Sequence, residues 1–134
     1  MIVKCIVNDI SSVKPKDAKD RLHGWANSEG KYNDLNIGEE YAVQAVENLE
    51  NGLFYYLHTV DVSEHPYPYP SELFVIEDSF LSIEWEASFR VDDGRTKIKR
   101  ITFSRWAKDD LFFEKLVEGD AECVSEYLRN KDKL

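Results

Sequence analysis

The feature that most constrains the fold is a strict alternation over residues 81–91. Leu81, Ile83, Trp85, Ala87, Phe89 and Val91 fall on one side, and Ser82, Glu84, Glu86, Ser88 and Arg90 on the other. A period of two predicts an antiparallel strand with one face on the core and one in water. Asp92-Asp93-Gly94 follows, a sequence suited to a tight hairpin turn, and residues 95–106 form the expected partner. Within that partner Ile98 is out of phase with Ile101 and Phe103, which predicts a bulge near Lys99-Arg100 or an end that is only half buried. Lys97, Lys99 and Arg100 then lie opposite or diagonal to Glu84 and Glu86. Cross-strand charge pairs of this kind contribute ~0.2–1 kcal/mol each.

A second hairpin precedes the first. Residues 40–47 read as a strand, residues 48–52 as a connection ending in Asn-Gly, and residues 53–62 as a returning strand apolar on both faces, hence central and covered on each side. Residues 1–7, rich in β-branched side chains, predict a first strand buried on both sides. Residues 8–34 lose periodicity and read as a long ordered loop pinned by Val13, Leu22 and Trp25, with a short helical turn over residues 16–22. In residues 66–70, Pro-Tyr-Pro-Tyr-Pro, every second position lacks an N–H donor and favours an extended path. Two readings stay open there: a stiff aromatic contact loop, or a crossover whose tyrosines pack back on the sheet. Ser71 suits the start of a single 3₁₀ turn.

From residue 107 the period changes to a helical one. Asp109 or Asp110 begins a first helix, Gly119 ends it, and Asp120 caps a second with the stripe Ala121, Val124, Tyr127, Leu128. The expectation is one α+β domain spanning residues 1–134. Residues 1–106 form a small, strongly bent antiparallel sheet or partly open barrel of about five strands. Residues 107–130 form a tail of two helices packed on it.

Charge narrows the function classes. The chain carries a net −9, and residues 35–89 hold eleven carboxylates with no Lys or Arg. That argues against direct binding of nucleic acid, which needs cations against phosphates. It suits a basic protein partner, although charge of this sign also serves solubility alone. No apolar run approaches the ~20 residues of a spanning helix. The first residues lack a basic segment leading into an apolar one, so the expectation is a cytoplasmic protein without a signal peptide, with Cys5 and Cys123 as reduced, buried thiols.

Chemistry is sparsely signposted. His23, His58 and His65 have no metal-ligand spacing, and His58 reads as a residue satisfied on the sheet. There is no Gly-x-Ser-x-Gly elbow and no Gly-rich phosphate loop. Adjacent carboxylates are so frequent that no pair stands out as a general acid and base. The expectation is therefore a protein without cofactor, metal or catalysis.

Residues 35–43, Leu-Asn-Ile-Gly-Glu-Glu-Tyr-Ala-Val, open a strand that residues 53–57, Leu-Phe-Tyr-Tyr-Leu, answer. Tyr69-Pro70-Ser71-Glu72-Leu73-Phe74, Ile76-Glu77-Asp78 and Leu81-Ser82-Ile83-Glu84-Trp85 follow in order. Over residues 35–85 this order resembles a group of small bacterial proteins with a Src-homology-3-like barrel. Many of these are similar to immunity proteins of polymorphic-toxin or contact-dependent growth-inhibition systems. The resemblance implies a protein that binds one cognate toxin domain, commonly a basic nuclease, and blocks its active site or substrate channel. The implied contact surface is Glu39, Glu40, Asp61, Glu64, Tyr67, Tyr69, Glu72, Glu84 and Glu86, with tyrosines as anchors and carboxylates for steering. The competing class is a general cytoplasmic interaction or regulatory module with no toxin partner.

Overall fold

The computed structural model describes residues 1–9, 31–49, 52–60, 62–131 and 133. Among these residues seven strands and three helices follow one another: β1 (Ile2–Cys5), β2 (Glu40–Leu49), β3 (Gly52–Leu57), β4 (Tyr67–Pro70), a 3₁₀ turn (Ser71–Leu73), β5 (Phe74–Asp78), β6 (Trp85–Asp92), β7 (Arg95–Phe103), α1 (Ser104–Lys108), α2 (Phe112–Val117) and α3 (Ala121–Lys131). The class is α+β with an antiparallel sheet, as the alternation implies. Among the described residues the strand count is seven rather than about five, and the sheet does not close: β4, β5 and β6 each pair on one side only.

The ten residues of β2 form the axis of the sheet. One edge of β2 pairs with β3, from Val43↔Leu57 to Leu49↔Gly52. The other edge is shared. Its start takes β1 (Lys4↔Glu40, Val3↔Tyr41, Ile2↔Ala42), and its end takes β7 (Val46↔Ile101, Glu47↔Arg100). The register with β3 shifts between Val43 and Ala45, which leaves Gln44 as an extra residue where the second neighbour changes. Thr102 Oγ1, fully buried, donates to the Gln44 carbonyl at 2.9 Å and stitches β7 to that irregular point. Strand β5 continues the sheet beyond β1, with Cys5 opposite Phe74.

Two cores lie on the two faces of this sheet. Val3, Cys5, Tyr32, Leu35, Val43, Tyr55, Leu57, Tyr69, Leu73 and Phe74 pack on one face. Ala45, Tyr56, Phe103, Trp106, Phe112, Leu116, Cys123 and Tyr127 pack on the other, under the helices. Residues Phe54 to Leu57 of β3 are all buried, so the expectation of a strand covered on both sides holds there. It does not extend to residue 62, because the strand ends at Leu57. Strand β1 is buried on one side only: Val3 and Cys5 point inward, while Ile2 and Lys4 are half-exposed, and Lys4 Nζ reaches Glu77 Oε1 at 3.2 Å.

The proline run resolves in favour of the sheet. Residues Tyr67 to Pro70 form strand β4, pairing with β3 (Tyr55↔Tyr69, Leu57↔Tyr67). In a strand alternate N–H groups face the same edge, so prolines at 66, 68 and 70 remove donors from the open side and leave those of Tyr67 and Tyr69 for β3.

The helical part starts earlier than the pattern implies. Ser104 to Lys108 is helical, not the end of a strand, and brings Trp106 into the second core. Gly119, at φ 85°, ends α2 in the left-handed conformation, and Asp120 Oδ1 accepts from the Cys123 N–H at 3.0 Å as the cap of α3. The buried side of α3 is Cys123 and Tyr127; Ala121 and Leu128 of the expected stripe are exposed. The long loop lies largely outside the described residues, Val13, Leu22 and Trp25 included. Its ends are tied together by the Asp9↔Lys31 bridge and by the Tyr32 N–H donating to the Asn8 carbonyl at 2.9 Å.

Candidate interaction surface

The hairpin of β6 and β7 carries the most unusual surface. Its register runs from Trp85↔Phe103 to Asp92↔Arg95, with a shift between Ser88 and Phe89 that leaves Lys99 as the extra residue on β7. The bulge thus sits where the phase of Ile98 predicts it. It also ends the β2–β7 ladder: past Glu47↔Arg100, Asn48 instead donates its side-chain N–H to the Ile98 carbonyl at 3.2 Å. The turn uses Asp93 at φ 49° and Gly94 at φ 74°, the paired left-handed residues of a tight hairpin.

Alternation predicts that the apolar side of this hairpin faces the core. That holds only at its base, where the half-buried Trp85 touches both cores and Ile101 the first. Phe89, Val91 and Ile98 are exposed. The reason is reach: β2 supports β7 only at Ile101 and Arg100, so the distal half projects beyond the sheet. The segment before β6 is also not a strand. The Trp85 N–H donates to the Ser82 carbonyl at 3.1 Å, forming a turn that leaves Ile83 fully in solvent and Phe80 and Leu81 exposed. Phe89 and Ile98 stand opposite each other on the hairpin with Val91 two residues on, and Val75 and Ile76 of β5 are exposed as well. Exposed apolar groups so clustered mark sites of association. Exposed carboxylates Glu77, Asp78, Glu84, Glu86, Asp92 and Asp93 lie among them in the chain.

The nine residues implied as contacts do not form one patch. Tyr69 is 5% exposed in the first core and 2.7 Å from Thr59 Oγ1, so it is removed from the surface. Burial pushes its phenol up to about 12. Tyr67 is half-buried against the same core. Glu39 and Glu40 are exposed where β2 begins, and Glu39 Oε2 accepts from Asn36 Nδ2 at 2.8 Å and Tyr41 Oη at 3.1 Å. Glu64 is exposed in the connection before β4, and the half-buried Glu72 accepts from Ser71 Oγ at 3.2 Å in the 3₁₀ turn. Glu84 and Glu86 are exposed at the base of the β6–β7 hairpin. Asp61 lies outside the described residues.

The basic strand does not neutralise Glu84 and Glu86 as expected. Glu84 pairs with Lys133 at 3.4 Å and Glu86 with Lys108 at 3.6 Å. Lys97 stands across from Arg90, and Lys99 Nζ reaches Asp110 Oδ1 at 2.7 Å. Arg100 is diagonal to Glu86 across the ladder but turns under the helices, where it is 5% exposed. There its Nε donates to Glu47 Oε2 at 2.6 Å and its Nη1 to the Trp106 carbonyl at 3.1 Å. Tyr56 Oη donates to the other oxygen of Glu47 at 3.0 Å, and burial drives that phenol far above its ordinary range. Sequence reasoning missed this buried cluster. The available signal was Glu47, a lone carboxylate within the apolar run of β2.

The groups with chemical potential are otherwise engaged. His58 Nδ1 lies 2.7 Å from Tyr127 Oη, with the rings stacked at 5.8 Å. His65 Nδ1 lies 2.9 Å from the Pro66 carbonyl. Both thiols are free and buried, and burial pushes each above its ordinary value, away from the reactive thiolate. Among the described residues no group of three or more His, Cys, Asp or Glu side chains is placed to hold a metal ion, and no helix is long and apolar enough to cross a membrane. No family model, curated protein or solved structure matches this chain.

Proposed function

We propose that this is a non-catalytic, cytoplasmic binding protein, an immunity protein that neutralises a cognate bacterial toxin domain, with the β6–β7 side of the molecule as its contact surface. The observation that carries the reading is the exposed apolar set Phe80, Ile83, Phe89, Val91 and Ile98 interspersed with carboxylates. An apolar centre with a charged rim is the anatomy of a specific protein interface. An acidic rim suits the basic surface by which a nuclease holds phosphates. The open sheet remains compatible with a partly open, Src-homology-3-like barrel, the fold the resemblance over residues 35–85 implies.

Of the nine residues first singled out, Glu84 and Glu86 flank this surface. Glu39, Glu40, Glu64, Glu72 and Tyr67 lie on other elements: the start of β2, the connection into β4, the 3₁₀ turn and β4 itself. A second reading, a regulatory module with no toxin partner, has one observation in its favour: Glu84 and Glu86 already have lysine partners, which weakens the case for charge steering.

The test is co-expression with the C-terminal domain of a toxin encoded immediately upstream. Growth should be rescued, and Ile83→Ser with Phe89→Ser should abolish rescue while leaving the melting temperature unchanged. Absence of rescue together with absence of a complex on a sizing column would sink the immunity reading. Association should also slow between low and physiological ionic strength. A salt-independent on-rate would leave the apolar residues as the whole of the recognition.

A further inference from the structure

Strand β6 is the outer strand of its hairpin: among the described residues it pairs with β7 and nothing else. Natural edge strands are blunted by prolines, by bulges or by being short. At eight residues β6 is not short, and it contains no proline. The bulge of the hairpin lies on β7, at Lys99, so the outward edge of β6 stays regular. The geometry points to a symmetric dimer in which β6 pairs antiparallel with β6 of a second copy of this chain, about a two-fold axis through Ser88. This reading is independent of what the apolar surface binds.

The sequence of β6 is self-complementary about that axis. An antiparallel pair keeps apolar faces together only when directly opposed residues come from the same side of each strand. With Ser88 on the axis, Ala87 meets the partner's Phe89, Trp85 meets the partner's Val91, and Glu86 meets the partner's Arg90. Symmetry repeats each contact, so two opposite-charge pairs form on the polar side and the apolar sides of the two hairpins become one surface. Moving the axis to Phe89 sets Glu86 against the partner's Asp92, a repulsion. Moving it to Ala87 sets Glu86 against the partner's Ser88 and shortens the ladder from seven residues to five within the bounds of β6. Glu86 and Arg90 now hold Lys108 at 3.6 Å and Asp92 at 3.0 Å. These are surface pairs of the kind that contributes little, so exchanging them costs little.

The test uses the full chain and two charge reversals, Glu86→Arg and Arg90→Glu, read by sedimentation and by melting temperature. Wild type should be a concentration-dependent dimer. Each reversal alone opposes like charges at both symmetric positions and should weaken the dimer about tenfold or more, with an unchanged melt of the monomer. Mixed together, the two variants should form a heterodimer, since at each of the two symmetric positions the chains again differ in sign: two cations of one variant face two carboxylates of the other. A wild-type protein that stays monomeric at every concentration overturns the proposal. So does a dimer indifferent to both reversals, or a mixture that fails to associate.

Discussion

Arg100 shows how a single residue ties elements together that the chain keeps far apart. Its guanidinium joins Glu47 of β2 to the Trp106 carbonyl of α1, and its Nη2 lies 3.4 Å from Asp110. Glu47 is itself largely withdrawn from water, with its side chain 12% exposed. Removing the cation would strand that carboxylate. Arg100→Ala should therefore cost ~3–5 kcal/mol in urea unfolding. Arg100→Lys should recover only part of that, because an ammonium cannot reproduce the planar fork that reaches a carboxylate and a carbonyl at once. Replacing Arg100 and Glu47 together by apolar residues should cost much less than the sum of the two single changes. In the sequence only Glu47, a carboxylate inside an apolar run, hints at this cluster. An arginine in a strand reads as a solvent-facing residue, and only the three-dimensional proximity of Glu47, 53 positions away, makes it a core residue.

At the scale of the element, pairing is legible and burial is not. The period of two, the Asp-Asp-Gly turn and the phase slip at Ile98 locate the β6–β7 hairpin and its bulge. Alternation reports which side of a strand is apolar, but not whether a neighbour covers it. Here the supporting strand stops short, and Phe89, Val91 and Ile98 stay in water. At concentrations where the chain is monomeric, Phe89→Ser and Val91→Thr should accordingly change the unfolding free energy little, within ~0.5 kcal/mol, whereas core truncation at Leu57 should cost ~2–5 kcal/mol. A large loss at Phe89 would mean that the hairpin face is covered after all. The alternation of prolines with tyrosines is ambiguous in the opposite direction. It suits an exposed loop, yet one proline at every second position is also what an edge strand tolerates, and β4 uses it to bury Tyr69.

For the whole molecule the ionisable groups set limits at both ends of the pH scale. Asp109, Asp110 and Asp120 are held below their ordinary value of 3.8: Asp109 by the Leu111 N–H and then Lys115, Asp110 by Lys99, Asp120 by the Cys123 N–H. A depressed carboxylate stabilises the fold above its unfolded pKa and loses that contribution as pH falls through the folded value. Tyr69 titrates the other way. Its phenol is raised from 10 to about 12 by burial, so its contribution is complete below pH 10 and disappears as pH climbs toward 12. Melting temperature should therefore fall on both sides, and Asp120→Asn, which keeps a capping oxygen, should flatten part of the acid limb only. Among the described residues β4, β5 and β6 each leave an edge open, and the three edges are not equivalent. One is lined by Pro68 and Pro70, another is the five-residue β5 ending in Glu77 and Asp78, and the third is the unblocked β6. Pairing of β6 with β6 about a two-fold axis uses that edge up on both copies, so self-association through it terminates at a pair instead of running on into a filament.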